Sequence, residues 1–462
     1  MPTIARIIGS AGTGKTSRLM VLMAKAIESG DYGIENVGFS TFTRAARGEA
    51  SSRAAEQFGV PVHDLERNGW FRTLHSTCRK MLGVDGELLV GNNADQQWLE
   101  NAVQEPVCAG KADEETIPVV FAASTEANIA LGLWDAARNR LEPYLDAWTR
   151  AQQCDESLPS FEWCRGVVER YEQAKRLDHR LDFCDLLARF AGWSCQVDGH
   201  LGIQPDGDVP GDLKIHFLDE QQDNSALLHS AQMRLIEHSR WVYATGDPFQ
   251  ALYSWAGAEA RHFMQMPASK VEVMPKSYRC PRQILELGEA ILRDCTDYFY
   301  RHVEPRDDHG DISTAFLRDD LAEQIDPRES WLLLARSNAH AQRLAAILES
   351  RGIPWSATRG NNTWNSPKRN AATAALMAME RGTLIDGGEW LKVLDFLPSK
   401  HHGTALLARG TKAEWGRMEA REIEERFSFV LPADWTTLGV TPTLGELIRS
   451  GEWRKLVEGA DR

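Results

Sequence analysis

Short apolar runs that each end in a cluster of polar residues recur along the first half of the chain. They are Ile4–Ile8, Val37–Phe39, Trp70–Thr73, Ile215–Leu218 and Trp241–Thr245. The runs predict strands, and helical patterns lie between them. Strands that alternate with helices, with polar residues at the strand ends, are typical of an open parallel α/β sheet with a ligand crevice at that edge.

A second group of apolar runs begins later in the chain. Val271–Met274, Asp311–Leu317 and Trp331–Ala335 predict strands, and Pro281–Arg293 and Ala339–Arg351 predict helices. We expect this group to form a second sheet. Residues 84–170 show no strand alternation, so we expect a helical insertion into the first sheet.

Composition narrows the class of protein. At 462 residues the chain has room for about three domains. Its eight cysteines include no C-x-x-C pair, which favours reduced thiols and a cytoplasmic location. We expect neither a membrane span nor a signal peptide. The net charge of −14 gives no general attraction to nucleic acid, so DNA binding would need a local basic groove.

A glycine-rich loop follows the first strand and fits G-x-x-x-x-G-K-[ST]. Its residues are Gly9, Ser10, Ala11, Gly12, Thr13, Gly14, Lys15 and Thr16. The glycines let backbone N–H groups point at phosphate oxygens, and the following helix adds the positive end of its dipole. Lys15 can reach the β- and γ-phosphates, and Thr16 can offer its hydroxyl to Mg²⁺. The alternative is a plain glycine turn, but the strand and helix around it favour nucleotide binding.

A second candidate element for phosphate binding, which is acidic, follows the strand Ile215–Leu218. Asp219 and Glu220 stand at the strand end, the pattern of a Walker B motif. Asp219 would hold Mg²⁺ through its water shell, and Glu220 would orient or deprotonate the attacking water. Alone, the element could be a solvated acidic loop. Together with Lys15 and Thr16 it predicts a site for a nucleoside triphosphate.

Further motifs occur in a characteristic order, and together they resemble a superfamily 1 DNA helicase of the UvrD/Rep type. They are Thr41–Ala46, Thr73–Ser76, Leu181–Leu187, Gly246–Ala258, Ser277–Arg279 and Ala335–Asn338. The resemblance implies an α/β P-loop NTPase with two RecA-like parallel-sheet domains, the second incomplete, and helical insertion domains. It divides the chain into 1–83 and 171–258 (first RecA-like domain), 84–170 (insertion), 259–365 (part of the second RecA-like domain) and 366–462 (part of a second insertion).

The resemblance also implies roles around ATP and Mg²⁺. Gln250 would bind the γ-phosphate or the attacking water, Tyr278 would stack on adenine, and Arg279 would reach the γ-phosphate. Ser17 joins the phosphate loop as a nucleotide contact. Other roles are open: Gln250 could cap the strand end, Tyr278 could be a core aromatic residue, and Arg279 could form a surface ion pair.

For single-stranded DNA or single/double-strand junctions, the resemblance implies contacts at the strand ends. Aromatic rings stack on bases without regard to sequence, and cations meet phosphates. His75 could equally be a structural histidine. The expected DNA contacts are Thr41, Phe42, Thr43, Arg44, His75, Tyr253 and Trp255.

Three departures from the family pattern bear on activity. No glutamine motif precedes Gly9, Ala256 stands where the family has arginine, and the last two helicase motifs are absent. We expect a truncated, split or variant helicase that hydrolyses ATP poorly without a second polypeptide, with 3′→5′ polarity implied by the resemblance. The alternatives are an ATP-gated DNA-binding module, a helicase-like subunit of a nuclease complex and, more distantly, a P-loop kinase or GTPase.

Overall fold

Strands and helices alternate through the first two thirds of the chain. The computed structural model describes residues 2–41, 44–84, 88–89, 93–107, 125–155, 157–295, 297–313, 325, 331–350, 355, 400–401 and 404–405. The chain divides into two compact units, Met1–Ile312 and Ser313–Arg462. Among the described residues, no helix is long and apolar enough to cross a bilayer.

The strands are β1 (Thr3–Ile8), β2 (Val37–Ser40), β3 (Trp70–Arg72), β4 (Trp193–Gln196), β5 (Gly199–Gly202), β6 (Ile215–Leu218), β7 (Trp241–Gly246), β8 (Lys270–Val273), β9 (Lys400–His401) and β10 (Thr404–Ala405). The helices are α1 (Lys15–Glu28), α2 (Arg44–Phe58), α3 (Leu74–Leu82), α4 (Asn93–Val103), α5 (Glu126–Arg140), α6 (Tyr144–Gln152), α7 (Phe161–Leu177), α8 (Phe183–Ala191), α9 (Ala226–Leu235), α10 (Ala260–Gln265), α11 (Arg282–Leu292) and α12 (Asn338–Ser350).

Six parallel strands form the central sheet of the first unit, in the order β3-β2-β6-β7-β1-β8. The register pairs Ile8 of β1 with Gly246 of β7, and Ser40 of β2 with Leu218 of β6. Parallel strands all end at the same edge of a sheet, so the residues after β1, β2, β6 and β7 meet there. This confirms the expected parallel α/β sheet and explains why the polar clusters of the sequence converge.

The structure confirms a strand in the run Val271–Met274 but corrects its sheet, and it corrects the strand predicted at Trp331–Ala335. The run Val271–Met274 belongs to the first sheet: β8 pairs with β1, with Ile8 opposite Val273, and Arg18 of α1 forms an ion pair with Glu272 at 3.3 Å. An apolar run predicts a strand but not its partner, which depends on pairing across more than 250 residues. Residues 331–335 are irregular, not a strand; in Asp311–Leu317, residues 311–313 are irregular and the rest lies outside the described residues.

The expected helical insertion lies between β3 and β6. Helices α4 to α7 pack around a core that includes Trp134, Tyr144 and Tyr171, and the hydroxyl of Tyr144 donates to Ala130 O at 3.0 Å. Trp134 and Tyr144 meet edge to face, with ring centroids 5.9 Å apart. The small antiparallel hairpin of β4 and β5, which the sequence pattern did not predict, adjoins this core.

A buried ion network joins the insertion to helix α8. Asp182 caps α8 by accepting from Asp185 N at 2.9 Å, and it also accepts from Arg138 at 2.8 Å and Lys175 at 2.8 Å. Arg138 and Lys175 hold the pKa of Asp182 below its usual range in spite of burial. The element Leu181–Leu187, one of the motifs that resemble those of UvrD/Rep-type helicases, therefore joins the insertion to the sheet domain.

Candidate functional site

The glycine-rich loop between β1 and α1 adopts the tight curve that its sequence predicts. Gly12 has φ +72° and Gly14 has φ +81°, values that favour glycine. Gly9 N donates to Gly246 O at 3.1 Å, which joins the loop to the end of β7. The ammonium of Lys15 folds back over the loop and donates to Gly9 O at 3.2 Å. The loop thus places a buried lysine at the carboxyl edge of the sheet.

Asp219 lies across this edge from Thr16, the second residue of α1. The hydroxyl of Thr16 donates to Asp219 Oδ2 at 2.6 Å, and the hydroxyl of Thr245 donates to Asp219 Oδ1 at 2.6 Å. The next residue, Glu220, has φ +53° and its N–H donates to Asp219 Oδ1 at 3.0 Å. The left-handed backbone turns Glu220 out of the strand direction, beside the same carboxylate.

The donor set at this point fits Mg²⁺. Thr16 Oγ1 and Asp219 Oδ2 are hard oxygen ligands 2.6 Å apart, and their contact is partly buried at the sheet edge. Mg²⁺ prefers one or two carboxylates together with water and phosphate oxygens. Thr16 and Asp219 are therefore the residues that could hold the ion.

The segment after β8 lies directly against the glycine-rich loop. Tyr278 N donates to Gly12 O at 2.8 Å, and the hydroxyl of Ser277 donates to Ala11 O at 2.7 Å. A side chain at Gly12 would place its Cβ 2.2 Å from Cβ of Arg279. Tyr278 is 68% exposed, so its ring lies outside the protein core. This excludes the alternative in which Tyr278 is a core aromatic residue.

The loop after β7 carries Gln250 on a short 3₁₀ turn. The carboxylate of Asp247 caps this turn by accepting from Phe249 N at 3.2 Å, and Gln250 N donates to Asp247 O at 2.9 Å. The side chain of Gln250 is half-buried. Asp223 meets the same loop, accepting from Leu252 N at 3.2 Å, and burial raises the pKa of Asp223 to about 7.

The expected DNA contacts are only partly described. Thr41 follows β2 and is buried with its hydroxyl unpartnered, and Arg44 begins α2. Tyr253 is half-buried, and Trp255 lies on a 3₁₀ turn at Ser254–Ala256. Phe42, Thr43 and the side chains of Arg44 and Trp255 lie outside the described residues.

His75 sits on α3, which begins after the capping residue Thr73. Its ring meets the ring of Phe183 edge to face, with centroids 5.5 Å apart. Burial lowers the pKa of His75 to about 4, so the ring is neutral at pH 7. A neutral ring can stack or donate one hydrogen bond, but it forms no ion pair with a phosphate.

Three residues at this site carry no role in the sequence analysis. Ser277 contacts the glycine-rich loop, Gln222 donates to Glu220 Oε2 at 2.8 Å, and Arg301 donates to Asp247 Oδ1 at 2.6 Å. Gln222 stands two residues after Glu220, and Ser277 directly precedes Tyr278, so position along the chain could have indicated both. Arg301 lies in no motif, and no sequence signal points to it.

The parallel sheet, the lysine-bearing loop and the Asp-Glu pair at its carboxyl edge define a P-loop nucleotide-binding domain. The family model of the UvrD/REP helicase N-terminal domain matches residues 3–270. The chain belongs to the UvrD/REP helicase family, which confirms the resemblance stated from its motifs.

Curated relatives agree at low identity. The chain is 23% identical over 320 residues to the ATP-dependent DNA helicase PcrA of Bacillus subtilis, covering 68% of the chain and 40% of PcrA. It is 23% identical over 390 residues to the putative ATP-dependent DNA helicase YjcD of the same organism, covering 78% and 47%. PcrA of Staphylococcus aureus is 20% identical over 381 residues, covering 78% and 49%. The chain thus spans less than half the length of these relatives.

Proposed function

We propose that this chain binds and hydrolyses ATP and uses the cycle to move along single-stranded DNA as part of a UvrD/Rep-type helicase. The observation that carries this is the contact of Thr16 with Asp219 at 2.6 Å, beside buried Lys15 and turned Glu220. The names of the relatives, ATP-dependent DNA helicases, support the choice of ATP and DNA.

Each residue at the sheet edge has a defined task in this proposal. Lys15 and the loop amides hold the β- and γ-phosphates, and Glu220 orients and deprotonates the attacking water. When bound, Mg²⁺ supplies positive charge to the phosphate oxygens. Arg279, whose backbone lies against Gly12, reaches the γ-phosphate where negative charge develops. Gln250, on the loop that leads to Tyr253 and Trp255, reports the state of the phosphate to the DNA platform.

The decisive experiment is the ATPase rate of the chain with and without a single-stranded oligonucleotide. The control is Lys15→Ala, which removes the phosphate-binding ammonium. A strong stimulation by DNA that Lys15→Ala abolishes supports the motor. Binding of ATP and DNA without turnover would reject hydrolysis and support the ATP-gated DNA-binding module, and a nuclease that co-purifies would support the nuclease-complex subunit.

A comparison of oligonucleotides tests the finer points. Translocation with 3′→5′ polarity predicts faster displacement of a label from the 5′ end than from the 3′ end of the same strand. Junction preference predicts tighter binding to a forked duplex than to single-stranded DNA of equal length. Equal displacement from both ends would contradict the polarity.

A further inference from the structure

A chain of buried polar contacts runs from the Asp-Glu motif to helix α11. Gln222 Nε2 donates to Glu220 Oε2 at 2.8 Å, and Gln222 Oε1 accepts from Asp247 N at 3.1 Å. Arg301 Nη1 donates to Asp247 Oδ1 at 2.6 Å, and Arg301 Nη2 donates to Glu289 Oε1 on α11 at 2.5 Å. Every link is a direct hydrogen bond.

The links are shielded from water. Gln222 is 2% exposed, Asp247 is 1% exposed and Arg301 is 4% exposed. Hydrogen bonds in such surroundings are stronger and more directional than those in water, and an unmade one is costly. Water cannot replace these hydrogen bonds when a residue at one end of the series moves. The movement is therefore transmitted to the next residue, or the hydrogen bonds break.

Packing fixes the geometry at both junctions. A side chain on Gly246 would place its Cβ 2.9 Å from Gln222 Oε1, so only glycine lets the amide approach β7 this closely. The guanidinium of Arg301 lies over the ring of Phe249, 4.8 Å from its centroid, and Phe249 follows Asp247 on the short turn that ends at Gln250. The hydroxyl of Tyr298 donates to the second oxygen of Glu289 at 3.0 Å.

We propose that Gln222 and Arg301 are positioning residues that link the carboxylate of Glu220 to the loop of Gln250 and to helix α11. The inference rests on the proposed ATP hydrolysis, because Glu220 acts as the base there. Gln222 orients the carboxylate of Glu220. Arg301 holds Asp247 in place, and the backbone N–H of Asp247 in turn orients the side chain of Gln222. Movement of Glu220 when nucleotide binds is thus transmitted to α11 without passing through the glycine-rich loop.

Gln222→Met is the informative variant, because methionine has nearly the same length, carries no charge, donates no hydrogen bond and is only a weak acceptor. Gln232→Met is its matched control. Gln232 is also 2% exposed and accepts from Asn224 at 2.8 Å, but it stands outside the chain of contacts. Both variants lose buried hydrogen bonds, so a merely structural role would affect them alike.

Steady-state kinetics and hydrogen exchange of the α11 amides, with and without a non-hydrolysable ATP analogue, give the readouts. We expect Gln222→Met to lower kcat roughly 10- to 100-fold and to change KM for ATP by less than about threefold. It should also abolish the nucleotide-induced change in exchange over Arg282–Leu292. Gln232→Met should do neither. Adding Arg301→Lys to Gln222→Met should cause little further loss, because both act on one path.

The inference is overturned if α11 keeps its nucleotide response in Gln222→Met, or if the two losses multiply. A wild-type chain that binds the analogue but does not turn over rejects the proposed hydrolysis, and hydrogen exchange alone then decides the link. A wild-type chain that does not bind nucleotide rejects both.

Discussion

The hydroxyl of Thr16 lies 2.6 Å from a carboxylate oxygen of Asp219, a residue 203 positions later in the chain. Thr16 is the second residue of α1, the helix that follows the glycine-rich loop, and Asp219 directly follows β6, an inner strand of the sheet. Two oxygen ligands of the kind that Mg²⁺ prefers thus meet where the phosphates of a nucleotide would lie.

Asp219→Asn removes the negative charge from this pair while keeping its shape. An amide would hold Mg²⁺ less tightly than a carboxylate, and the ion would then balance less of the negative charge on the transferred phosphate. We therefore expect kcat for ATP hydrolysis to fall by at least about 100-fold. Ser29→Ala, at the exposed end of α1 where the hydroxyl donates to Ala26 O, is the control and should leave the rate unchanged. A rate for Asp219→Asn close to that of the wild type would contradict the assignment of the metal site.

Gly12→Ala tests the close approach of the segment after β8. The added methyl would lie 2.2 Å from Cβ of Arg279, and φ at Gly12 is +72°. Gly30→Ala is the matched control, with φ +76° and no atom within 4 Å of the added Cβ. Both substitutions strain the backbone by about 1–2 kcal/mol, but only Gly12→Ala displaces Arg279. We expect nucleotide affinity, measured by titration calorimetry, to fall at least about tenfold for Gly12→Ala and to hold for Gly30→Ala. Equal nucleotide affinities for the two variants would show that the close contact between Gly12 and Arg279 is not needed for nucleotide binding.

Lys175→Met tests the ion network that fastens the insertion. Lys175 is 3% exposed and contacts Asp182 at 2.8 Å, Asp185 at 2.7 Å and Glu172 at 3.0 Å. Its loss removes one of two cations and leaves Asp182, Asp185 and Glu172 to share Arg138. We therefore expect the free energy of unfolding in urea to fall by about 3–5 kcal/mol. Arg165→Met breaks an exposed pair with Glu169, and its unfolding midpoint should match the wild type. A small effect of Lys175→Met would mean that the network contributes little to stability.

His216 predicts a loss of stability in acid. It is 1% exposed on β6, contacts Ser40 Oγ at 2.8 Å, and burial lowers its pKa to about 3. Between the unfolded value near 6.5 and about 3, the unfolded state binds the proton and the folded state does not. Stability should therefore fall as pH drops below about 6.5, by up to about 1.4 kcal/mol per pH unit from this residue.

His216→Gln removes this titration, so its unfolding free energy should depend less steeply on pH between about 6 and 4. His238→Gln, at an exposed position, should follow the wild type. Denaturant melts at several pH values measure both. An unchanged slope in His216→Gln would show that another group controls acid sensitivity.

Local pattern was enough to predict the strands β1, β2, β3, β6 and β7, the glycine-rich loop and the helical insertion. Strand periodicity, glycines that allow positive φ and the residues that follow each strand are properties of short segments. Because parallel strands end at one edge, Gly9, Thr41, Asp219 and Asp247 had to lie on the same side once the sheet formed. The predicted convergence of Lys15, Thr16 and Asp219 follows from that geometry.

The sequence by itself therefore determined the candidate residues for the chemistry and the parallel sheet that presents them. Only the tertiary structure decided that β8 pairs with β1 in the first sheet, that Ser277 contacts the glycine-rich loop, and that Arg301 reaches Asp247. These contacts join residues from 54 to more than 250 positions apart. A short segment carries no record of its distant partner, because that choice depends on how all the elements share the buried space.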